Sequence, residues 1–225
     1  MKTAARLAAI ALLILTGSAA VAQGGRNRLP RTANPSAVVA AESAFARLAQ
    51  DKGLWKAFEE TAADGAVMFT PQRVLARDWL KGRKSPAQAV QWQPHDVWMS
   101  CDGTYAVSHG AWQNGDTAGE FVTVWQRQKN GDYKWLLDQG GALAQPLPQP
   151  EMISGRVATC RAGVGGASGK SLAALPVADP AAAASGDQTL EWRTEVHPDG
   201  SRTFTARRWT GEAFEEVLHT DFAAG

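Results

Sequence analysis

The sequence predicts an α+β protein: a pair of N-terminal helices, a strongly bent antiparallel sheet packed on them, and a small C-terminal β-meander. Three observations predict it. Residues 90–139 read as four extended runs in succession, and five of the nine tryptophans lie on them: Trp92, Trp98, Trp112, Trp125 and Trp135. Bulky aromatics on successive runs suit a curved sheet that closes over a core or a pocket. The runs follow the helical segments instead of alternating with them, which is the α+β pattern and not the βαβ one. Finally, a stretch rich in Gly, Ala and Pro (141–187) separates these runs from a second group of alternating runs at 188–219.

Asn34-Pro35 reads as a helix start, with Asn as N-cap and Pro in the first turn. Val38, Ala41, Phe45 and Leu48 follow at the spacing of one buried stripe, and Gly53 interrupts it. A second short helix carries Leu54, Trp55, Phe58 and Ala62 and ends near Asp64-Gly65. Residues 66–70 form a brief strand stopped by Pro71, and 74–80 a third short helix. The first sheet strand covers 90–100, with Trp92 and Trp98 on one parity and Gln91, Gln93 and His95 on the other; Pro94 bends, bulges or edges it. Cys101-Asp102-Gly103 is a hairpin turn, followed by strands at 104–113, 120–128 and 133–139. Residues 145–150 are a stiff extended tract, and 151–160 hold one short strand. Residues 163–169 and 181–185 read as spacer. Gly163 to Lys170 superficially resembles a phosphate loop but has no strand before it. Runs at 189–196, 203–210 and 213–218 make the final three-stranded meander, which is too small to stand alone and is expected to dock on the main sheet.

Lys2 and Arg6, the apolar run from Leu7 to Leu15 and Ala20-Val21-Ala22 form a cleavable leader, expected to be cut after Ala22 and to deliver the chain to the periplasm or outside the cell. The run is too short to span a bilayer, and no later stretch is long enough. Residues 23–33 are a flexible lead-in. Without residues 1–22 the chain has 21 basic and 22 acidic residues, a net charge near −1 against +1 for the full sequence. That balance argues against a nucleic-acid partner. Cys101 and Cys160 are too few for a structural zinc site; in an exported chain they are expected to form a disulfide. There is no His/Cys/Asp cluster at metal spacing, no phosphate loop and no nucleophile elbow, so neither metal nor cofactor is expected.

The segments "WKAFEETAADGAVMFTP", "DWLKG" and "GEFVTVWQRQKNGDYKWLLDQG" resemble the NTF2-like superfamily, nearest its SnoaL, ketosteroid-isomerase-like and DUF4440-type domains, over residues 34–140. The resemblance implies a cone-shaped sheet around helices, with a mouth opening onto an interior pocket. Its catalytic members use a buried Asp or His as general base with acidic or hydroxyl donors. Here that implies His109 or Asp138 as base, with His95 and Asp96 as further candidates and Tyr105 or Tyr133 as donors. Each has a plainer reading: His109 as an outward or core-bonded strand histidine, His95 on a solvated edge, Asp138 capping the turn at Gly140-Gly141. Trp92, Trp98, Trp112 and Trp125, with His95 and Tyr105, are candidates for lining a ligand pocket; as core filling they need no ligand. Without a clear Asp/Tyr/Asp constellation, the sequence reads first as a protein binding a small apolar or amphipathic molecule. The alternatives are an isomerase- or cyclase-like enzyme using His109 or Asp138, and a non-catalytic module that homodimerises through a sheet face. A carboxyl buried among pocket tryptophans favours the enzyme; a pocket filled by its own tryptophans beside an exposed sheet face favours the module.

Overall fold

The computed structural model of the chain describes residues 32–161 and 181–224. The expected leader with its cleavage site, most of the lead-in, and the spacer at 163–169 lie outside them. The first helix, α1 (Pro35–Lys52), begins where the cap reading places it: the Asn34 side chain accepts a hydrogen bond from the Ser36 N–H. Gly53, at φ 95°, ends it and turns the chain into α2 (Leu54–Thr61). That helix ends before Asp64-Gly65, because Ala62 is already extended and opens β1 (Ala62–Phe69). The expected helix at 74–80 is split: β2 (Arg73–Leu75) pairs back onto β1, and only α3 (Ala76–Leu80) is helical.

The main sheet adds β3 (Gln91–Met99), β4 (Tyr105–Asn114), β5 (Thr117–Arg127), β6 (Tyr133–Leu143) and β7 (Ser154–Val157), in the order β2-β1-β6-β5-β4-β3-β7. It is strongly curved and mixed, not purely antiparallel as expected. The β3–β6 meander is antiparallel, but β1 lies parallel to β6 and β7 parallel to β3. Both parallel partners are remote in sequence from the strands they join, so no local hairpin signal announces them.

A bulge in β3 sets which side chains meet. Pro94 pairs with Gly110 but Asp96 pairs with His109, leaving His95 as the extra residue. The parity therefore flips, and Trp92 and Trp98 face opposite sides of the sheet instead of sharing one. Trp92 packs with α1 and α2; Trp98 packs on the other face. Nor is His95 on a solvated edge: β3 is flanked by β4 and β7, and His95 is buried.

The helices cover one face with a core of Val38, Phe45, Leu54, Met68, Ala106, Trp125 and Trp135. The other face is covered by a second, four-stranded sheet: β8 (Ala181–Ala184), β9 (Leu190–Val196), β10 (Arg202–Trp209) and β11 (Phe214–Phe222). It has one strand more than the three expected. β8, read as spacer because four alanines carry no alternation, pairs with β9. Its inward side chains Leu190, Trp192, Phe204, Leu218 and Phe222 join Trp98, Tyr105, Val107, Val122, Val124 and Leu137 in one core. Polar ties pin one end: the backbone N–H groups of Cys101 and Asp102 donate to Thr189 Oγ1 (2.9 Å) and Asp187 Oδ2 (2.8 Å).

Cys101 and Cys160 are bonded, with Cα atoms 5.1 Å apart and a sequence separation of 59. A loop of that length gives about 4 kcal/mol of stabilisation in the chain-entropy model. Replacing both cysteines by serine is expected to lower the unfolding free energy by up to that amount, and adding reductant to the native chain should lower it equally. Unchanged urea midpoints in both experiments would show that the bond does not constrain the unfolded chain.

Candidate functional site

Between the helices and the main sheet lies a cavity of about 320 Å³, near the lower end for ligand sites. Its wall is aromatic: Phe45 from α1, Trp55 and Phe58 from α2, Phe69 from β1, Trp92 from β3, Trp112 from β4 and Phe121 from β5. Edge-to-face contacts lock several of these rings, with Phe45 4.8 Å from both Phe58 and Trp92. Trp112 spans β5, its indole N–H donating to Glu120 O at 3.0 Å. That placement requires Gly119, since a Cβ there would run into the Trp112 ring and the Gly141 carbonyl.

One carboxyl faces this wall. Asp138 on β6 lines the cavity beside Gln139 and Gly140, and its Oδ2 accepts a hydrogen bond from Thr123 Oγ1 at 2.7 Å. Burial pushes its pKa up to about 7, against the opposing effect of that hydrogen bond. It is deeply enclosed by protein, only partly exposed, and it lines the cavity, where a proton-transfer group has to be. It does not cap a turn at Gly140-Gly141, because β6 runs on to Leu143.

A second buried carboxyl, Glu42, lies outside the sequence-based candidates. It is 1% exposed, and all its partners are donors. Trp92 Nε1 donates to Oε1 (2.8 Å), while Ser108 Oγ (2.7 Å) and Trp125 Nε1 (3.1 Å) donate to Oε2. Burial raises its pKa to about 7, the three hydrogen bonds oppose the rise, and the nearby charge of Asp138 adds to it. Its position was readable: Glu42 stands on the stripe Val38, Glu42, Phe45, Ala49, which is the buried face of α1.

Of the other candidates, only Trp92 and Trp112 line the cavity. Trp125 lies behind Phe45, its indole committed to Glu42 and Ser108. Trp98 and Tyr105 belong to the core between the two sheets, with Tyr105 5.4 Å from Trp192. His109 also faces away from the cavity. Its Nε2 lies 2.8 Å from Glu120 Oε2, and Glu120 Oε1 accepts from Thr220 Oγ1 at 2.8 Å. Burial would raise the Glu120 pKa, but the hydrogen bonds from His109 and Thr220 outweigh it and hold the carboxyl below its ordinary value. His109 thus has an acid partner, in a seam between sheets and not in a pocket. The Tyr133 hydroxyl donates to Gly103 O, and Asp96 Oδ1 lies 3.9 Å from Arg156 Nη1. Among the described residues no group of three or more His, Cys, Asp or Glu is placed to hold a metal, and no helix is long and apolar enough to cross a membrane.

Glu42 and Asp138 give stability a definite pH dependence. Both pKa values are raised on folding, so between about pH 4 and 7 the folded chain binds more protons than the unfolded one, and stability falls as pH rises through that window. Thermal unfolding should therefore occur at a higher temperature at pH 5.5 than at pH 8. Glu42→Gln, which keeps the shape but cannot ionise, should flatten that difference; a variant with the full wild-type slope would show that Glu42 is not strained when charged.

No family model matches the chain, and no curated protein matches it. Among solved structures it is similar to a putative ketosteroid isomerase from Parabacteroides distasonis, at 16% identity and a TM-score of 0.40 over 52% of this chain and 94% of that one. It is also similar to an NTF-2 like protein of unknown function from Burkholderia xenovorans, at 14% identity and a TM-score of 0.33 over 52% and 89%. Likenesses this distant carry nothing about activity. The order of elements stands on its own: two helices, a strand pair, a short helix and the β3–β6 meander, with β1 returned beside β6, make residues 35–143 NTF2-like in fold.

Proposed function

We propose that this chain binds a small, predominantly apolar molecule in the aromatic cavity, with Asp138 as the titratable group that meets it. The supporting observation is the cavity itself: seven aromatic side chains and one carboxyl converge on a space that the protein's own side chains leave open. Export belongs to the same proposal. The leader read in residues 1–22 and the Cys101–Cys160 bond both suit an oxidising compartment. A dimerising module would need an apolar sheet face, and the outer face of the main sheet is occupied by the chain's own second sheet.

Native mass spectrometry of the chain isolated from its own cell envelope is expected to show a discrete added mass. That mass should disappear in Phe121→Asp, which places a charge in the wall. An envelope-purified chain without adduct, whose tryptophan fluorescence also ignores a panel of hydrophobic small molecules, would overturn the reading.

A second reading has its own observation. A carboxyl with a pKa near 7 in an apolar pocket is poised as a general base, abstracting a proton α to a carbonyl and returning it elsewhere on the same substrate. In this reading deuterium exchange at the α-carbon of cyclic ketones, followed by NMR, is faster with the protein than without. The rate rises with pH through about 7 as Asp138 ionises, and Asp138→Asn lowers it about a hundredfold or more. Exchange that survives Asp138→Asn would remove Asp138 from the role of base.

A further inference from the structure

Arg202, at the start of β10, is a buried cation with no anionic partner. It is 5% exposed, and among the described residues no ion pair includes it. Its acceptors are two neutral carbonyls: Nη2 donates to Gly140 O at 2.9 Å and Nη1 to Pro71 O at 3.3 Å. Its Nε–H is buried with no acceptor at all. The guanidinium lies between the rings of Phe69 and Phe222, 5.6 and 5.5 Å from their centroids. Desolvation lowers its pKa, the sign expected of a charge that nothing nearby compensates.

Its position gives this charge a direction. Phe69, Thr70 and Gly140 all line the cavity. Arg202 stacks on the first, bonds the carbonyl of the residue after the second, and bonds the carbonyl of the third. It therefore stands immediately behind that end of the cavity wall. In so apolar a setting a positive charge acts across a wall one residue thick, because little solvent screens it. Arg202 does not itself line the cavity, so what it offers a bound molecule is its charge and not a hydrogen bond, and that charge favours an oxyanion over a neutral group. The single carboxyl of the cavity does not oppose this at mildly acidic pH, where Asp138 is mostly neutral.

We propose that the cavity's ligand is amphipathic, an apolar body carrying a carboxylate or similar oxyanion, and that Arg202 selects for that charge; this rests on the binding reading above. The apolar body lies against Phe45, Phe58, Trp92 and Phe121, and the anionic end at the Phe69–Gly140 rim. Arg202 would then serve two purposes, holding the second sheet to the rim and giving the cavity its charge preference.

Two fluorescent probes separate these ideas. N-phenyl-1-naphthylamine is neutral; 8-anilinonaphthalene-1-sulfonate has the same aromatic skeleton with one sulfonate added. At pH 6 the native chain should bind the sulfonate at least tenfold more tightly than the neutral probe, and each should displace the other. Arg202→Met should abolish the preference with little effect on the neutral probe, and Arg202→Lys should keep most of it. Equal affinities in the native chain, failure of the probes to displace each other, or a preference that persists in Arg202→Met would overturn the role of Arg202 while leaving the cavity a binding site. Binding of neither probe would overturn the binding reading and this inference with it. The comparison in the native chain decides the matter even if Arg202→Met does not fold.

Discussion

A sheet that carries large apolar side chains on both faces has to be covered twice, and most of this structure follows from that constraint. Along β4 the alternation is plain: Tyr105 and Val107 turn one way, Ala106 and Ser108 the other. α1, α2 and α3 shield the face that carries Trp92, Trp125 and Trp135, and the second sheet shields the face that carries Trp98, Val122 and Val124. The second cover shares one continuous core with the sheet. The first leaves a cavity, walled by aromatic side chains from both the helices and the sheet. The cavity is thus lined in part by side chains of the helix-side core.

Glu42 is where the helical cover is fastened. A carboxyl at that depth is costly unless its oxygens are hydrogen-bonded, and three donors from β3, β4 and β5 meet it. The same contacts orient Trp92 in the cavity wall and Trp125 behind Phe45. One polar residue on the helix therefore registers α1 against three strands at once, which apolar packing, being non-directional, does less sharply. Asp138, whose charge Glu42 feels, has a different relation to solvent: similarly shifted, yet facing the cavity and partly exposed. Two carboxyls with similar titration thus divide into a sealed fastening and an accessible chemical group.

Local features of the fold were legible because they are decided locally. The Asn34 cap, the break at Gly53 and the Cys101-Asp102-Gly103 turn each depend on a few adjacent residues. What was not legible depends on partners remote in sequence. The parallel pairings of β1 with β6 and β3 with β7 leave no local trace, and the bulge at His95 reverses the parity of everything after it. The candidate site shows the same division. Asp138, Trp92 and Trp112 belong to the cavity, whereas Trp98, Tyr105 and His109 fall on the far face, where a second sheet unseen by the resemblance receives them. Glu42 was missed for a different reason. Its position on the buried stripe was visible, but a charged residue there reads as a solvated flank until its indole and hydroxyl partners are known.

The way the second sheet is attached affects how the chain tolerates change. The described chain before residue 162 and the chain from β8 onward are tied to each other and to the Cys101-Asp102-Gly103 hairpin. Cys160 is bonded to Cys101, Thr159 N–H donates to Trp209 O, and Asp187 and Thr189 hold the backbone of Asp102 and Cys101. The residues that flank the connection, 162–180, are therefore fixed by contacts among described residues. The disulfide, moreover, closes wholly on the N-terminal side of the connection. A chain severed there would hold its last four strands by packing and hydrogen bonds alone, as a two-fragment complex whose integrity depends on concentration.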